Sequence, residues 1–243
     1  MTDGPSGAQR PRWVNALILA VGFGIFVSLL MLGNWQMRRL DWKVNLIEAV
    51  EARVHADAVS PPKDTVSEAD HAYLRVYAPG RFSHESALRV KAVTELGLGN
   101  WVMTPLVTDT RTIWVNRGFI PAGFSADTIS TPSEPVVVTG LLRMTEPGGT
   151  FLESNQPEAG RWVSRDVQGL SEAVGIVDHA PFFIDADHSG AADGWPRGGL
   201  TIIAFRNDHL SYALTWYAMA ALFLAGMVFV IFDTYRSKRS SHT

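Results

Sequence analysis

Two long apolar runs near the ends of the chain constrain its fold more than any other feature. They extend over residues 14–33 and 212–232, and neither contains a charged side chain. About 20 apolar residues in a helix cross a hydrocarbon core about 30 Å thick, and a helix satisfies its own backbone groups in lipid. The pattern predicts a membrane α-helical hairpin of two transmembrane helices, with residues 34–211 as one domain between them. The alternative is a pair of helices buried in the core of a soluble protein.

A secretory signal peptide is a second alternative for the first run. Arg10 and Arg12 precede the run as a basic n-region would. The apolar stretch is too long for a signal peptide, and the sequence from Leu32 to Trp35 does not form a small-x-small cleavage site. We therefore expect an uncleaved anchor.

The basic residues that flank the two runs predict the orientation of the hairpin. With two spans, both termini lie on one side of the membrane, and the side richer in Lys and Arg is usually cytoplasmic. Four basic residues flank the inner ends of the runs, and five flank the terminal ends: Arg38, Arg39, Lys43 and Arg206 against Arg10, Arg12, Arg236, Lys238 and Arg239. We expect cytoplasmic tails at 1–13 and 233–243, and an extracytoplasmic domain at 34–211, in a protein of the cell inner membrane.

The composition excludes several classes of function. The chain has no cysteine, which removes C-x-x-C-H haem attachment, thiol-based copper delivery, disulfide exchange and cysteine catalysis. Residues 34–211 contain 16 Lys and Arg against 22 Asp and Glu, a formal net charge of −6. Nucleic acid is therefore not an expected partner, whereas membrane lipid is one through the two spans.

The enclosed segment is typical of an α+β domain that is mainly antiparallel β. Residues 34–55 continue the first span with the pattern of an amphipathic helix, and residues 166–175 predict a short helix with glycine at its end. Elsewhere in the segment, short runs rich in β-branched and aromatic residues alternate with Gly and Pro, which predicts a sheet or barrel. The predicted strands are 73–78, 87–93, 101–107, 112–116, 136–143, 182–186 and 200–205. Thr104-Pro105 is interpreted as a strand end, and Asn116-Arg117-Gly118 as a turn.

One histidine stands at the boundary between the domain and the second span. On a helix, positions 209, 212, 213, 216, 220 and 223 share a face, so the His209 imidazole would stand above Tyr212 and Trp216. A neutral imidazole is a common axial iron ligand, and aromatic walls exclude water, so this face suits a planar apolar ligand with a metal at its centre. The alternative is an interfacial belt, in which Tyr212, Trp216 and Tyr217 only anchor the helix at headgroup level.

Other polar groups give weaker indications. Asp178, His179, Asp185, Asp187 and His188 form a cluster in sequence that suits a divalent metal, with solvated side chains as the simpler interpretation. The chain has no G-x-S-x-G elbow for a serine hydrolase. Ala16, Ala20, Gly24 and Ser28 repeat every four residues, which predicts close contact of the first span with Ala213, Ala221 and Ala225 of the second.

Four short blocks occur in order between the terminal spans and together make a specific pattern. They are Leu32-Gly33-Asn34-Trp35-Gln36 with Arg38 and Trp42-Lys43, then residues 99–106, 115–121 and 207–217. Over nearly its whole length the chain resembles the Surfeit locus 1 family of cytochrome c oxidase assembly proteins.

The resemblance implies an assembly factor that is not an enzyme. Such a protein would bind haem a and help to place it in cytochrome c oxidase subunit I, with haem a synthase as a further candidate partner. His209 matches the family's candidate haem ligand, and Tyr212 and Trp216 are its pocket neighbours by helical spacing. Arg38, Arg39 and Arg117 are candidate propionate contacts, although snorkelling or structural roles explain them more simply. The alternative function is a membrane-anchored scaffold for oxidase subunits that never holds haem.

Overall fold

The computed structural model describes residues 12–63, 65–125, 129–149, 153–188, 194–201, 203 and 205–240. They contain four α-helices: α1 (Arg12–His55), α2 (Glu68–His71), α3 (Val167–Ala173) and α4 (His209–Ser240). They contain six strands: β1 (Arg75–Phe82), β2 (Leu88–Thr94), β3 (Gly97–Val107), β4 (Thr112–Pro121), β5 (Val136–Met144) and β6 (His179–Ala186). The chain divides into a helical unit, Met1–Ile47 with Phe205–Thr243, and a β unit, Glu48–Ala204.

The two long helices present apolar side chains outward. Phe23 on α1 exposes 63% of its surface, and Leu222 and Phe229 on α4 expose 74% and 72%. A soluble protein would bury such residues in its core, so the alternative of two core helices is wrong. Both helices are long and apolar enough to cross a membrane. This confirms the predicted fold class, while the span limits 14–33 and 212–232 stay predictions.

Within the helical unit, α1 and α4 meet through glycines that were not predicted to do so. A methyl group at Gly33 would lie 2.5 Å from Cε1 of Tyr217, and one at Gly22 would lie 3.1 Å from Sδ of Met227. At Gly24, by contrast, no described atom lies within 4 Å. The predicted stripe is therefore wrong. A four-residue repeat drifts about 40° per step around a helix of 3.6 residues per turn, so it does not stay on the contact face.

The β unit is built around a closed barrel. The strand order is β1-β5-β6-β4-β3-β2, and an additional pairing of β1 with β3 closes the first five of these into a ring, leaving β2 attached to β3. All pairings are antiparallel except that of β4 with β6, which is parallel. The barrel confirms the predicted α+β, mainly antiparallel fold. The parallel pair was not predicted.

Alternate residues of the strands supply two separate cores, because successive side chains point to opposite faces of a sheet. Residues from all five barrel strands fill the interior: Val76, Ala78, Leu106, Ile113, Val115, Val138, Leu142, Ala180, Phe182 and Ile184. On the outer face, Trp114 and Phe183 pack with Trp162 and with Leu170 of α3. Asp166 caps α3 by accepting a hydrogen bond from the Gly169 N–H.

Three local predictions in the β unit are wrong. The described residues between Leu200 and Phe205 are not in a strand, and Thr201 Oγ donates instead to Asp185. Pro105 lies inside β3, opposite Trp114 and beyond the last residue paired with β2, where its missing N–H breaks no ladder with β2. The Asn116-Arg117-Gly118 segment is a bulge in β4, since Trp101 pairs with Phe119 but Met103 pairs with Asn116.

Candidate functional site

His209 is the first residue of α4 and lies in the helical unit. The helix begins there with the Tyr212 N–H donating to the Asp208 carbonyl. The His209 side chain is half-buried. The predicted ligand therefore sits at the end of an apolar helix rather than within a loop.

The His209 ring is held by a residue of the other long helix. Its Nδ1 lies 2.8 Å from Oε1 of Gln36, and Gln36 is only 9% exposed. A side-chain amide oxygen can only accept a hydrogen bond, so Nδ1 carries the hydrogen and donates it. Nε2 of the neutral ring keeps its lone pair. Among the described residues we find no hydrogen bond to Nε2.

A second polar contact joins the same two helices. The Tyr217 hydroxyl donates to Oδ1 of Asn34 over 2.7 Å, and the Tyr217 ring lies against Gly33. Two side-chain hydrogen bonds, from His209 to Gln36 and from Tyr217 to Asn34, thus connect α1 to α4. Side-chain amides in such a position are commonly used to join helices in membranes.

The predicted pocket neighbours of His209 do not all share its packed face. Ala213 and Ala220 are fully buried and Trp216 is half-buried, so these three follow His209 along one side of α4. Tyr212 is 55% exposed and lies outside this face. The roles of Tyr212 and Trp216 in binding a cofactor stay predictions.

Cationic side chains accompany this end of the helical unit. Lys43 Nζ lies 5.0 Å from the centre of the Phe205 ring, and the Arg39 guanidinium lies 4.6 Å from the Trp42 ring. Arg206 forms an ion pair with Asp208, whose hydrogen bond raises the pKa of Arg206. Anionic substituents of a ligand would find opposite charges here.

Asn207 carries a polar atom without a partner. Its Oδ1 is buried, and no described residue donates a hydrogen bond to it. Buried acceptors in folded proteins nearly always receive a hydrogen bond. A ligand hydroxyl or amide could supply the missing donor, two residues before His209.

Together, these residues fit a particular chemical class of ligand. The set combines an imidazole held through Nδ1, an apolar and aromatic helix face, and cationic side chains at the same end of the helical unit. Such a set suits a planar apolar molecule that carries a metal and anionic side groups.

The predicted acidic-histidine cluster is not assembled as a metal site. The described residues contain no group of three or more His, Asp or Glu side chains that could hold a metal ion. Asp187 pairs with Arg75. Asp185 accepts hydrogen bonds from four side chains: Asn116, Arg143, Arg165 and Thr201. Because its two oxygens are fully used, this carboxylate supports the fold of the β unit.

Arg117 likewise supports local structure. Its Nη2 donates to the Ser130 carbonyl over 2.5 Å, and its guanidinium lies 5.1 Å above the Phe82 ring. Burial lowers the pKa of Arg117. His84 contacts the neighbouring Pro132 carbonyl, with 3.0 Å between the atoms. The observed contacts tie β4 to the segment at 130–132, which favours the structural interpretation of Arg117.

Gln36 and Asn34 had no predicted role. Both lie in the first of the four blocks, just beyond the apolar run, where they are uncharged polar residues among apolar ones. This position was the available sequence signal for a polar contact between the helices. Their partners are 173 and 183 residues away in the chain, so the contacts themselves could not be read from spacing.

Comparisons with known proteins agree with the resemblance. A sequence model described as the SURF1 family matches residues 23–221. The chain is 34% identical to Surfeit locus protein 1 of Homo sapiens over 231 residues, which cover 86% of this chain and 74% of the human protein. It is 31% identical to Surfeit locus protein 1 of Takifugu rubripes, with 86% and 92% of the two chains covered. It is 29% identical to the SURF1-like protein of Caenorhabditis elegans, with 86% and 71% covered.

Proposed function

The chain belongs to the SURF1 family, which implies a role in cytochrome c oxidase assembly, and we propose that it plays this role by binding haem a and assisting its insertion into oxidase subunit I. Haem a synthase is a second proposed partner. An assembly role fits a protein that is not an enzyme. The β unit is proposed to lie outside the cytoplasm, and the membrane to be the cell inner membrane.

The observation that carries this proposal is the hydrogen bond from His209 to Gln36. It leaves Nε2 of a neutral imidazole available at the edge of an apolar helix pair. Iron in haem proteins is commonly held by such a nitrogen. Haem bound at this position would supply the redox-active iron centre of the oxidase. The chain's own contribution is to hold the iron through His209 and to keep water from the apolar ring.

The cations near His209 support an amphipathic ligand. Haem carries two propionates. Lys43 lies about two turns after Gln36 on α1, and Arg206 precedes His209 in the chain. Arg38 and Arg39 are exposed on α1 in the same region. Charge-assisted hydrogen bonds to carboxylates are stronger than neutral ones, so these residues are the proposed propionate contacts.

The unpartnered Oδ1 of Asn207 supports haem a rather than haem b. Haem a has a hydroxyl on its long isoprenoid substituent, and haem b has none. A buried acceptor that lacks a donor gains more from a ligand that brings one. Replacing Asn207 with Leu should therefore weaken any preference for haem a over haem b.

The proposal is tested by the visible spectrum of the protein purified in detergent from cells that make haem a. The wild-type protein should carry haem a, and H209A should stay folded in the membrane but lose most of it. H179A is the control, because His179 lies on β6 in the β unit and should leave the haem content unchanged.

Two results would contradict the proposal. Wild-type protein without haem absorbance would contradict haem a as the cofactor. H209A with wild-type haem content and spectrum would contradict His209 as the iron ligand. Either result would favour the scaffold, which binds oxidase subunits and needs no iron ligand.

A further inference from the structure

We propose that Gln36 is a positioning residue for the haem ligand, which fixes the tautomer and orientation of His209 so that Nε2 is the nitrogen presented to iron. This inference rests on the proposed function. It concerns a different side chain, Gln36 on α1, and it is tested with separate variants.

The first step of the argument is the direction of the hydrogen bond. Free neutral histidine exchanges its hydrogen between Nδ1 and Nε2. A bond of 2.8 Å to an oxygen that can only accept holds the hydrogen on Nδ1. The lone pair is then on Nε2, and the ring plane is set by the same contact. Histidines that bind metals generally donate their other N–H in this way.

The second step is the burial of Gln36. With 9% exposure, its amide has little access to water that could replace His209 as a partner. An unpaired buried amide oxygen is unfavourable, so the pair is favoured in the protein before any ligand arrives. The site is thereby organised in advance, which reduces the ordering that binding requires.

The third step is the neutral charge of the acceptor. A carboxylate at this position would draw the Nδ1 hydrogen more strongly and raise the basicity of the ring, which strengthens a metal–nitrogen bond. The amide of Gln36 orients the ring with less of this effect. A moderate hold on iron suits a protein that must pass its haem on.

The experiment is a titration of haem-free protein in detergent with haem b and then with haem a, followed by absorbance. Q36L removes the acceptor and should weaken binding about 10- to 100-fold, the usual effect of losing such a partner. Q36N keeps the amide on a side chain one carbon shorter and should weaken binding in the same direction. Q36E restores an acceptor oxygen at the right length and should bind at least as tightly as wild type.

A matched control separates positioning from helix joining. Y217F removes the other hydrogen bond between the two long helices, the one to Asn34, and leaves Gln36 and His209 intact. It should bind haem with wild-type affinity and spectrum. Circular dichroism of each variant establishes that the helices remain folded.

The outcomes distinguish this inference from the proposed function. If H209A loses haem while Q36L and Q36N bind as wild type does, the positioning role is wrong and the ligand assignment stands. If Y217F weakens binding as much as Q36L, Gln36 only joins the helices, and the inference is again wrong. If the wild-type protein binds no haem, the proposed function itself fails.

Discussion

The ring of Tyr217 lies directly against Gly33, so that a methyl group at Gly33 would come within 2.5 Å of Cε1. Small residues at a helix contact in a membrane let the two backbones approach, and van der Waals packing then stabilises the pair. In this protein the contact lies at the end of the first apolar run, about one turn from Gln36. Gly33 and Tyr217 therefore form a packed contact between α1 and α4.

Gly33→Ala should destabilise the helix pair, because the added methyl group displaces the Tyr217 ring. Overpacking of this kind costs about 1–3 kcal/mol. Thermal unfolding of the protein in detergent, followed by circular dichroism, measures the loss. Gly24→Ala is the matched control on the same helix, since no described atom lies within 4 Å of its added carbon. A melting temperature of G33A equal to that of G24A would contradict the observed contact.

Tyr217→Phe should lower stability by about 0.6 kcal/mol, the average for hydrogen bonds between helices in a membrane. It removes the donor to Asn34 and keeps the ring against Gly33. The comparison is Tyr212→Phe, because Tyr212 is 55% exposed and should change little. Unfolding in detergent tests both variants, and equal losses would contradict a specific role for the Asn34 contact.

Asp185→Ala should destabilise the β unit by about 3–5 kcal/mol, because it removes the buried carboxylate that Arg143 and Arg165 share and leaves them only the partly exposed Glu146. The side chain of Asp185 is only 4% exposed, so water cannot easily replace it. Tryptophan fluorescence during urea unfolding of the full chain gives the free energy. Glu153→Ala breaks the exposed pair with Lys91 and should cost much less, because water screens exposed ion pairs. Similar losses in the two variants would show that the Asp185 contacts contribute little.

The predicted orientation can be tested with reporter fusions. A reporter that is active only outside the cytoplasm should be active when it is inserted between 122 and 134 and inactive when it is fused after Thr243. The reason is the excess of basic residues next to the second span on its terminal side. The opposite pattern of activity would place the β unit in the cytoplasm.

The sequence predicted the elements of the fold better than their arrangement. Apolar length identified both long helices, and β-branched runs located six strands to within a few residues, because these signals are local. The closure of the barrel by β1 and β3 was not predictable in the same way. It depends on a register in which Phe82 pairs with Leu106, and no local pattern specifies that pair.

In the candidate site, too, local features were predictable and long-range contacts were not. His209 was identified from its position above an aromatic stripe and from the resemblance. Gln36 was not, because its role arises only when two distant helices come together. The predicted stripe of small residues was wrong for a related reason. Small residues at a regular spacing indicate where helices can approach, but the observed contact at Gly33 depends on the position of the Tyr217 ring on the other helix.

The order of strands in the barrel also affects how the chain folds while it is being synthesised. β1 pairs with β3 on one edge and with β5 on the other, although β2, β3 and β4 lie between β1 and β5 in the chain. β5 in turn pairs with β6. β6 ends at Ala186, shortly before α4 begins at His209. The ring therefore closes only after nearly the whole segment between the long helices has been synthesised, and contacts between residues far apart in sequence make such folding slow. Until then, β1 and β4 each have an unsatisfied edge, so the growing chain passes through a stage in which it is open to wrong pairing.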